Sequence, residues 1–152
     1  MNTIRKCSSC GAENRIPPKH LADTGKCGAC KATLRPADAP IDVDTDAFDR
    51  IVRESPVPVL VDFWAAWCGP CRMAAPEVKK VAEDMSGRAL VLKVDTDKHP
   101  DLAARYNVRG IPNFAVFRGG RVVHQQAGLV NRGGMRDWIE RAPSMRIEAM
   151  GE

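Results

Sequence analysis

Hydrophobic and polar residues follow one another along residues 41–142 in a pattern that predicts alternating strands and helices. Two apolar runs, V-P-V-L-V-D-F-W at residues 57–64 and A-L-V-L-K-V-D at residues 89–95, are typical of strands buried on both faces. Residues with helical spacing follow the first run to about Met85, and a shorter helix begins near Pro100 after the second. Strands that alternate with helices favour parallel pairing in one sheet.

Shorter patterns predict the remaining elements. A strand at residues 41–43 precedes a helix that Asp44 or Thr45 caps and that ends at Ser55. Residues 114–117 and 122–126 form a hairpin with Gly119-Gly120 as its turn, and a helix over residues 131–141 closes the chain. The predicted order is β-α-β-α-β-α-β-β-α, an α/β fold with a mixed central sheet and helices on both faces.

The first 36 residues differ in composition from the rest. They contain few large apolar residues, so a segment of this size does not fold by itself without a covalent or metal staple. The sequence R-P-A-D-A-P-I then discourages regular structure. We predict a small module at residues 1–36, a linker at 37–40, the main domain at 41–143 and a polar tail at 144–152.

The net charge of +4 over 152 residues is confined to this N-terminal segment. Residues 1–40 carry seven Lys/Arg and three Asp/Glu (7 − 3 = +4), whereas residues 41–152 carry sixteen of each (16 − 16 = 0). A solvated basic surface explains this excess more simply than a nucleic-acid contact does, so nucleic acid is an unlikely partner. The sequence has no apolar run of membrane-spanning length and no signal-peptide core, which predicts a cytoplasmic protein without a membrane partner.

All six cysteines belong to three C-x-x-C pairs. Without a secretory signal, metal binding and redox catalysis are better interpretations than a disulfide framework. The first two pairs, Cys7/Cys10 and Cys27/Cys30, give the pattern C-x2-C-x16-C-x2-C, which lies within the spacing of zinc sites. Four sulfurs from two tight turns suit a closed, structural zinc site. Two disulfides, or iron in the same site, are the alternatives, and His20 is expected on the surface.

The third pair, Cys68 and Cys71, lies where a buried strand turns into a helix. A thiol at a helix N-terminus meets unpaired amides and the positive end of the helix dipole, which favour its thiolate. Cys68 is therefore the expected nucleophile, and Cys71, one turn deeper, is the second thiol that disulfide exchange needs. Gly69 and Pro70 set the stiffness of the turn. Metal binding by this pair is the less favoured interpretation.

Two charged residues interrupt the buried strands. Asp62 shares one strand face with Leu60 and Trp64, and burial without a partner raises the pKa of a carboxyl group. Lys93 interrupts the second strand in the same way and is a possible partner of Asp62. The alternative is that both residues only cap strand ends at the margin of the sheet.

The motifs W-A-A-W-C-G-P-C, V-D-F-W, K-V-D-T-D and G-I-P, with a glycine after the last strand, closely resemble those of the thioredoxin family. The resemblance covers residues 41–142, and the added zinc module resembles the thioredoxin 2 subfamily. The chain departs from the family pattern at Ala66, where proline is usual, and at Asn113, where threonine is commoner; Asn113 bears on the shape of the substrate groove.

The resemblance implies a thioredoxin fold and a protein disulfide reductase. Its substrates would be disulfide-containing proteins, and an NADPH-dependent thioredoxin reductase would recharge it. It implies one zinc ion, no organic cofactor of its own and a monomer. Asp62 would be the base that helps to deprotonate Cys71 through a water molecule. Lys93, placed near Asp62 by the strand pattern, is the accompanying candidate. The implied substrate-binding residues are Trp67, Gly69, Pro70, Gly110, Ile111, Pro112 and Gly128.

The residues alone and the family resemblance predict different isomers of the peptide bond before Pro112. The residues alone favour trans, because cis bonds are only about 5–6% of X-Pro bonds in folded proteins. The family resemblance favours cis, with the proline facing the cysteine pair.

Two other functions fit the same motifs less well. A zinc-ribbon module could bind protein or nucleic acid and use the second domain as a scaffold, although a scaffold needs neither Cys68 nor Cys71. An oxidase or isomerase would use the same fold with a more oxidising cysteine pair. His99 and His124 are expected on the surface.

Overall fold

A computed structural model describes the backbone of residues 3–151 and the side chains of residues 3–142. The strands are Thr3–Lys6 (β1), Glu13–Ile16 (β2), Gly25–Lys26 (β3), Thr33–Leu34 (β4), Ile41–Asp42 (β5), Val59–Trp64 (β6), Leu90–Asp95 (β7), Asn113–Arg118 (β8) and Arg121–Ala127 (β9). The α-helices are Thr45–Glu54 (α1), Gly69–Asp84 (α2), Pro100–Arg105 (α3) and Arg132–Gly151 (α4). A single 3-10 turn, Pro18–His20, follows β2.

A five-stranded mixed sheet with the order β5-β7-β6-β8-β9 lies at the centre of the fold. β5, β7 and β6 run parallel, whereas β8 pairs antiparallel with β6 and β9 completes a hairpin with β8. The predicted order of elements and the mixed sheet are confirmed. β6 lies between β7 and β8 and is buried almost along its whole length, as its apolar sequence indicates.

Side chains that alternate along β6 separate two cores. Val61 and Phe63 point into a cluster that also holds Phe48 of α1. Leu60 points to the opposite face, where Val78 of α2 and Met135 of α4 pack. The two-residue period of a strand places Asp62 on the side of Leu60.

The N-terminal module consists of two short antiparallel hairpins, β1-β2 and β3-β4. Its connecting segment packs on the main domain: Leu21 is 1% exposed and belongs to the same cluster as Phe48. One hydrogen bond continues this attachment, since the Ser86 hydroxyl donates to the Pro36 carbonyl. Within the segment that leads to the main domain, the Ala37 amide donates to the Leu21 carbonyl at 2.9 Å. The module and the main domain therefore share a core. The predicted boundaries of the module and linker stay predictions.

Two elements differ from their predicted limits near a proline. β6 begins at Val59 rather than residue 57, since Pro58 has no amide to donate to a ladder. α4 passes Pro143 and continues to Gly151, although a polar tail is predicted there. The residues after Pro143 are mostly good helix formers, which offsets one missing backbone donor. Neither α4 nor any other helix in the described part of the chain is long and apolar enough to cross a bilayer.

Candidate redox centre and metal site

Cys68 occupies the N-cap of α2, at the end of the loop that follows β6. Its sulfur accepts a hydrogen bond from the Cys71 amide at 3.1 Å. The two sulfurs form a disulfide, and both cysteines are only 4% exposed. A helix N-terminus has free amides and a positive dipole end, so a thiolate formed at Cys68 is stabilised there.

Three segments surround this disulfide. The Ile111 carbonyl oxygen lies 3.7 Å from the Cys68 sulfur, and the bond from Ile111 to Pro112 is cis, as the family resemblance implies. The Gly128 amide donates to the Pro112 carbonyl at 2.8 Å. Gly128 has a φ of +101°, a conformation that side chains disfavour. The structure thus brings Ile111, Pro112 and Gly128 together beside Cys68.

Trp67 extends from the rim of the centre into solvent. It is 67% exposed, and its indole nitrogen donates to the Asp97 carboxylate at 3.0 Å. Gly69 is the first residue of α2, and Pro70 beside it is exposed. Gly110 is exposed next to Ile111. All seven predicted substrate-binding residues therefore lie on the segments that border the disulfide.

Asp62 is buried beneath this surface. It is 1% exposed, and its Oδ1 has no hydrogen-bond partner among the described residues. Burial raises the pKa of this carboxyl group to about 7, and the charge of Lys93 lowers it by a smaller amount. The alternative, in which Asp62 only caps a strand end at the margin of the sheet, is wrong. Asp62 lies within β6, the middle strand of the sheet, and is buried there. A carboxyl group that titrates near neutral pH can exchange a proton during catalysis.

The ion pair suggested for Asp62 and Lys93 is not formed. The two residues face each other across β6 and β7, but the Lys93 ammonium lies over the Trp64 ring, 4.4 Å from its centroid. Lys93 is half-buried, and its ammonium interacts with the electron-rich ring face. Lys93 therefore acts on Asp62 through its charge alone.

The four N-terminal cysteines converge in a separate sulfur cluster, the candidate metal site. Their sulfurs all lie within 4.8 Å of one another, with 3.7 Å between Cys7 and Cys30 and 3.7 Å between Cys10 and Cys27. Tetrahedral zinc with bonds of about 2.3 Å needs sulfurs about 3.8 Å apart, so this arrangement fits zinc. The alternative of two disulfides does not agree with the structure, where all four cysteines are free.

Backbone and side-chain donors surround the buried sulfurs of this cluster. Amides of Ser9 and Ala29 donate to Cys7 and Cys27, each at 3.4 Å. The Asn14 side chain donates to the Cys27 sulfur at 3.6 Å and accepts from the Gly28 amide at 2.9 Å. Donors from the Cys30 amide, Asn14 and Ala29 lower the pKa of the Cys27 thiol to about 6.

Sequence reasoning missed Asn14, Asp97 and Arg72. Arg72 donates to the Ala66 carbonyl at 2.9 Å and so braces the loop before Cys68. No spacing rule identifies Asn14 or Asp97, whose contacts join residues 13 and 30 positions apart. The available signal for Arg72 was its place in the sequence, directly after Cys71.

The three histidines differ in their surroundings. His20 is exposed and lies 2.7 Å from Asp23, as expected for a surface residue. His99 is half-buried, so the prediction of a surface position is wrong in part. His124 is half-buried too, with its ring 4.5 Å from that of Trp138. Packing of α4 on β9 covers His124, which the alternating pattern of this edge strand did not indicate.

Comparison with known proteins agrees with both centres. A family model described as thioredoxin matches residues 39–141, and one described as the N-terminal part of thioredoxin 2 matches residues 6–32. Thioredoxin C-3 of Corynebacterium nephridii is 37% identical over 134 residues, covering 88% of this chain and 91% of that protein. Thioredoxin 1 of Chlorobaculum tepidum is 46% identical over 94 residues, covering 62% of this chain and 93% of that protein.

A solved structure agrees as well. A mutant thioredoxin from Halobacterium salinarum NRC-1 superposes with a TM-score of 0.65 at 37% identity, covering 72% of this chain and 94% of that one. The match to the first family model spans most of the chain, including Asp62, the cysteine pair and Pro112. With its redox cysteine pair and its zinc-ribbon segment, this chain belongs to the thioredoxin family of protein-disulfide oxidoreductases.

Proposed function

We propose that this protein reduces disulfides of other proteins, with Cys68 as the attacking thiolate and Cys71 as the resolving thiol. The observation that carries the assignment is the position of the Cys68 sulfur, which caps α2 and accepts the Cys71 amide. Cys71 lies within the first turn of the helix, where it can reach Cys68 but is farther from a substrate.

The electrons balance over two exchanges. In the dithiol form, the Cys68 thiolate attacks one sulfur of the substrate disulfide, a mixed disulfide forms and the other substrate sulfur leaves as a thiolate. Cys71, once deprotonated, attacks Cys68, and the second substrate sulfur leaves. Two electrons pass to the substrate, and the protein is left with the Cys68–Cys71 disulfide.

Asp62 is the proposed proton acceptor for Cys71. Its burial, its unpaired Oδ1 and a pKa of about 7 support this role, because a base is most effective when its pKa lies near the working pH. Lys93 has a supporting role, since its charge keeps the Asp62 pKa from rising further.

An extended substrate segment would lie along the border of the disulfide. The Ile111 carbonyl beside Cys68 offers a backbone acceptor, while Trp67 and Pro70 offer apolar surface. Gly69, Gly110 and Gly128 allow close approach of another backbone. Pro112 lies between Ile111, next to it in the chain, and Gly128, whose amide donates to it.

The proposed metal is one zinc ion bound by Cys7, Cys10, Cys27 and Cys30. Bound zinc supplies the cross-link that a module of this size needs in order to fold, and disulfide exchange does not involve it. A closed set of four sulfurs leaves no open position for a substrate.

The proposed setting is electron transport and redox homeostasis in the cytoplasm. The cycle needs a reductant for the Cys68–Cys71 disulfide, and an NADPH-dependent thioredoxin reductase supplies electrons of this kind in the family. The cycle requires no second copy of the chain, so we expect a monomer.

Reduction of insulin by dithiothreitol tests this function, with precipitation of the freed B chain as the readout. The wild type should accelerate the reaction, and Cys68→Ser should leave only the uncatalysed rate. Reduced Cys71→Ser, freed of dithiothreitol before insulin is added, should accumulate a mixed disulfide with insulin that a mass spectrum detects. Equal background rates for the wild type and Cys68→Ser would refute the proposal, and zinc content near one per chain would support the metal assignment.

A further inference from the structure

Three cationic residues lie next in sequence, or nearly so, to residues of the redox centre, on three different segments of the chain. Arg72 directly follows Cys71, Lys98 follows Asp97, and Arg109 lies two residues before Ile111. All three are exposed. Among the residues whose side chains the structure describes, no carboxylate lies within 4 Å of their charged groups.

Hydrogen bonds to neutral groups orient two of these cations. The Arg72 guanidinium donates to the Ala66 carbonyl at 2.9 Å, next to Trp67. The Arg109 guanidinium donates to the Asn107 side chain at 3.2 Å. These hydrogen bonds orient the two side chains without neutralising their charge, so each remains available to an anionic partner.

Two nearby carboxylates offset part of this charge. Asp97 accepts the indole of Trp67, and Asp95 accepts the amides of Asp97 and Lys98. These donors are neutral, so both carboxylates keep their negative charge. Three cations and two carboxylates still leave this group of side chains with a net charge of 3 − 2 = +1, whereas residues 41–152 as a whole carry none.

Exposed apolar residues also lie next in sequence, or nearly so, to residues of the redox centre. Trp67 is 67% exposed, Met73 is 66% exposed and Leu129 is 50% exposed. Large exposed apolar side chains near a reactive centre mark a contact surface for another protein. An apolar centre with a charged rim is the usual arrangement of such a surface.

From this charge distribution we infer that the preferred substrates are protein disulfides flanked by acidic residues. The inference rests on the proposed disulfide reductase function and names its substrate class. Apolar contacts would hold the residues next to the substrate disulfide, while Arg72, Lys98 and Arg109 attract carboxylates further out. Complementary charge raises the rate of encounter more than it strengthens the complex once formed.

Two matched synthetic peptides test this inference. Each is closed by one disulfide, and they differ only in whether Glu or Lys flanks the cysteines. The reduced protein is mixed with each peptide, and the rate constant is followed by tryptophan fluorescence. At low salt the Glu peptide should react about 10-fold faster, and the ratio should fall towards one as salt screens the charges.

Charge reversal assigns the effect to particular residues. The double variant Arg72→Glu/Arg109→Glu should invert the preference, and Arg72→Gln, which keeps a donor for Ala66, should reduce it. Arg121→Glu is the matched control, because Arg121 is exposed at the far end of β8 and β9 and should leave the ratio unchanged.

The outcomes separate this inference from the proposed function. Equal rates for both peptides, with insulin reduction intact, would overturn the substrate preference alone. A preference that persists in the double variant or at high salt would overturn it as well. If the reduced wild type reacted with neither peptide nor insulin, the proposed function would fall and the inference with it.

Discussion

Asp62 and Lys93 face each other across two paired strands, and the charge of one shifts the titration of the other without direct contact. The Lys93 ammonium lies 4.4 Å from the centroid of the Trp64 ring. Burial raises the Asp62 pKa more than the charge of Lys93 lowers it, so the net value is about 7. The balance between these two effects can be tested by changing either residue.

Replacing Asp62 with asparagine should stabilise the disulfide form at neutral and basic pH. The pKa of Asp62 is about 7 in the folded protein and about 3.9 when unfolded, so between these values the folded state binds more protons. The free energy of unfolding of the wild type therefore falls as pH rises and levels off above about pH 7. Asp62→Asn lacks this loss and should be more stable by up to about 4 kcal/mol at pH 8.

Urea unfolding of both proteins at pH 4.5 and pH 8 measures this effect. The difference in free energy should be small at pH 4.5 and large at pH 8. A difference of the same size at both pH values would show that the Asp62 pKa is not raised in the folded state.

Replacing Lys93 with methionine should move the Asp62 titration to higher pH. The variant removes the positive charge that lowers the Asp62 pKa, while methionine keeps most of the apolar stem. The carboxyl carbon of Asp62 can be followed by NMR as pH is varied. Lys79→Met on the exposed side of α2 is the control and should leave the midpoint unchanged. A midpoint at lower pH in Lys93→Met would contradict this explanation.

Replacing Leu21 with alanine should destabilise the protein by about 2–5 kcal/mol, as truncation of a buried leucine usually does. Leu21 is 1% exposed and packs in the cluster of Phe48, so its loss opens a cavity in the main core. Ile4→Ala is the matched control, because Ile4 is 53% exposed and its loss should cost less than about 0.5 kcal/mol. Urea unfolding of the zinc-loaded proteins measures both, and similar small losses would argue against a shared core.

Replacing Asn14 with alanine should weaken zinc binding about 10- to 100-fold, the usual effect of losing a hydrogen bond to a metal ligand. Its side chain joins the Cys27 sulfur to the Gly28 amide and so fixes the second cysteine turn. Competition with a chromophoric chelator measures the affinity. Glu13→Ala, an exposed change on the same strand, is the control. Equal zinc affinities in Asn14→Ala and the wild type would exclude this positioning role.

The sequence predicted those parts of the fold that depend on local periodicity. The apolar run around Val61 and the cap at Asp44 belong to this group, and the Ala47 amide does donate to Asp44 at 2.8 Å. The four strands of the N-terminal module were not predicted. They are two to four residues long, too short for an alternating pattern to be visible, and they pair around the cysteine cluster.

The candidate site also has features that the sequence predicted and contacts that it did not. Cysteine spacing predicted the sulfur cluster, and the change from an apolar run to helical spacing predicted the position of Cys68 at the start of a helix. Contacts made by the side chains of Asn14, Arg72 and Asp97 were not predictable, because they depend on how segments meet in space. The position of the Lys93 ammonium over Trp64 belongs to this second group, since the sequence suggested Asp62 as its partner.

The contact between Pro36 and Ser86 lies at the opposite end of α2 from the disulfide. Ser86 follows α2, whereas Cys68 precedes it, and a helix of 16 residues is about 24 Å long. The Pro36 carbonyl therefore lies about one helix length from the reactive sulfurs. A tether joined to the chain beside Pro36 would start about this far from the disulfide.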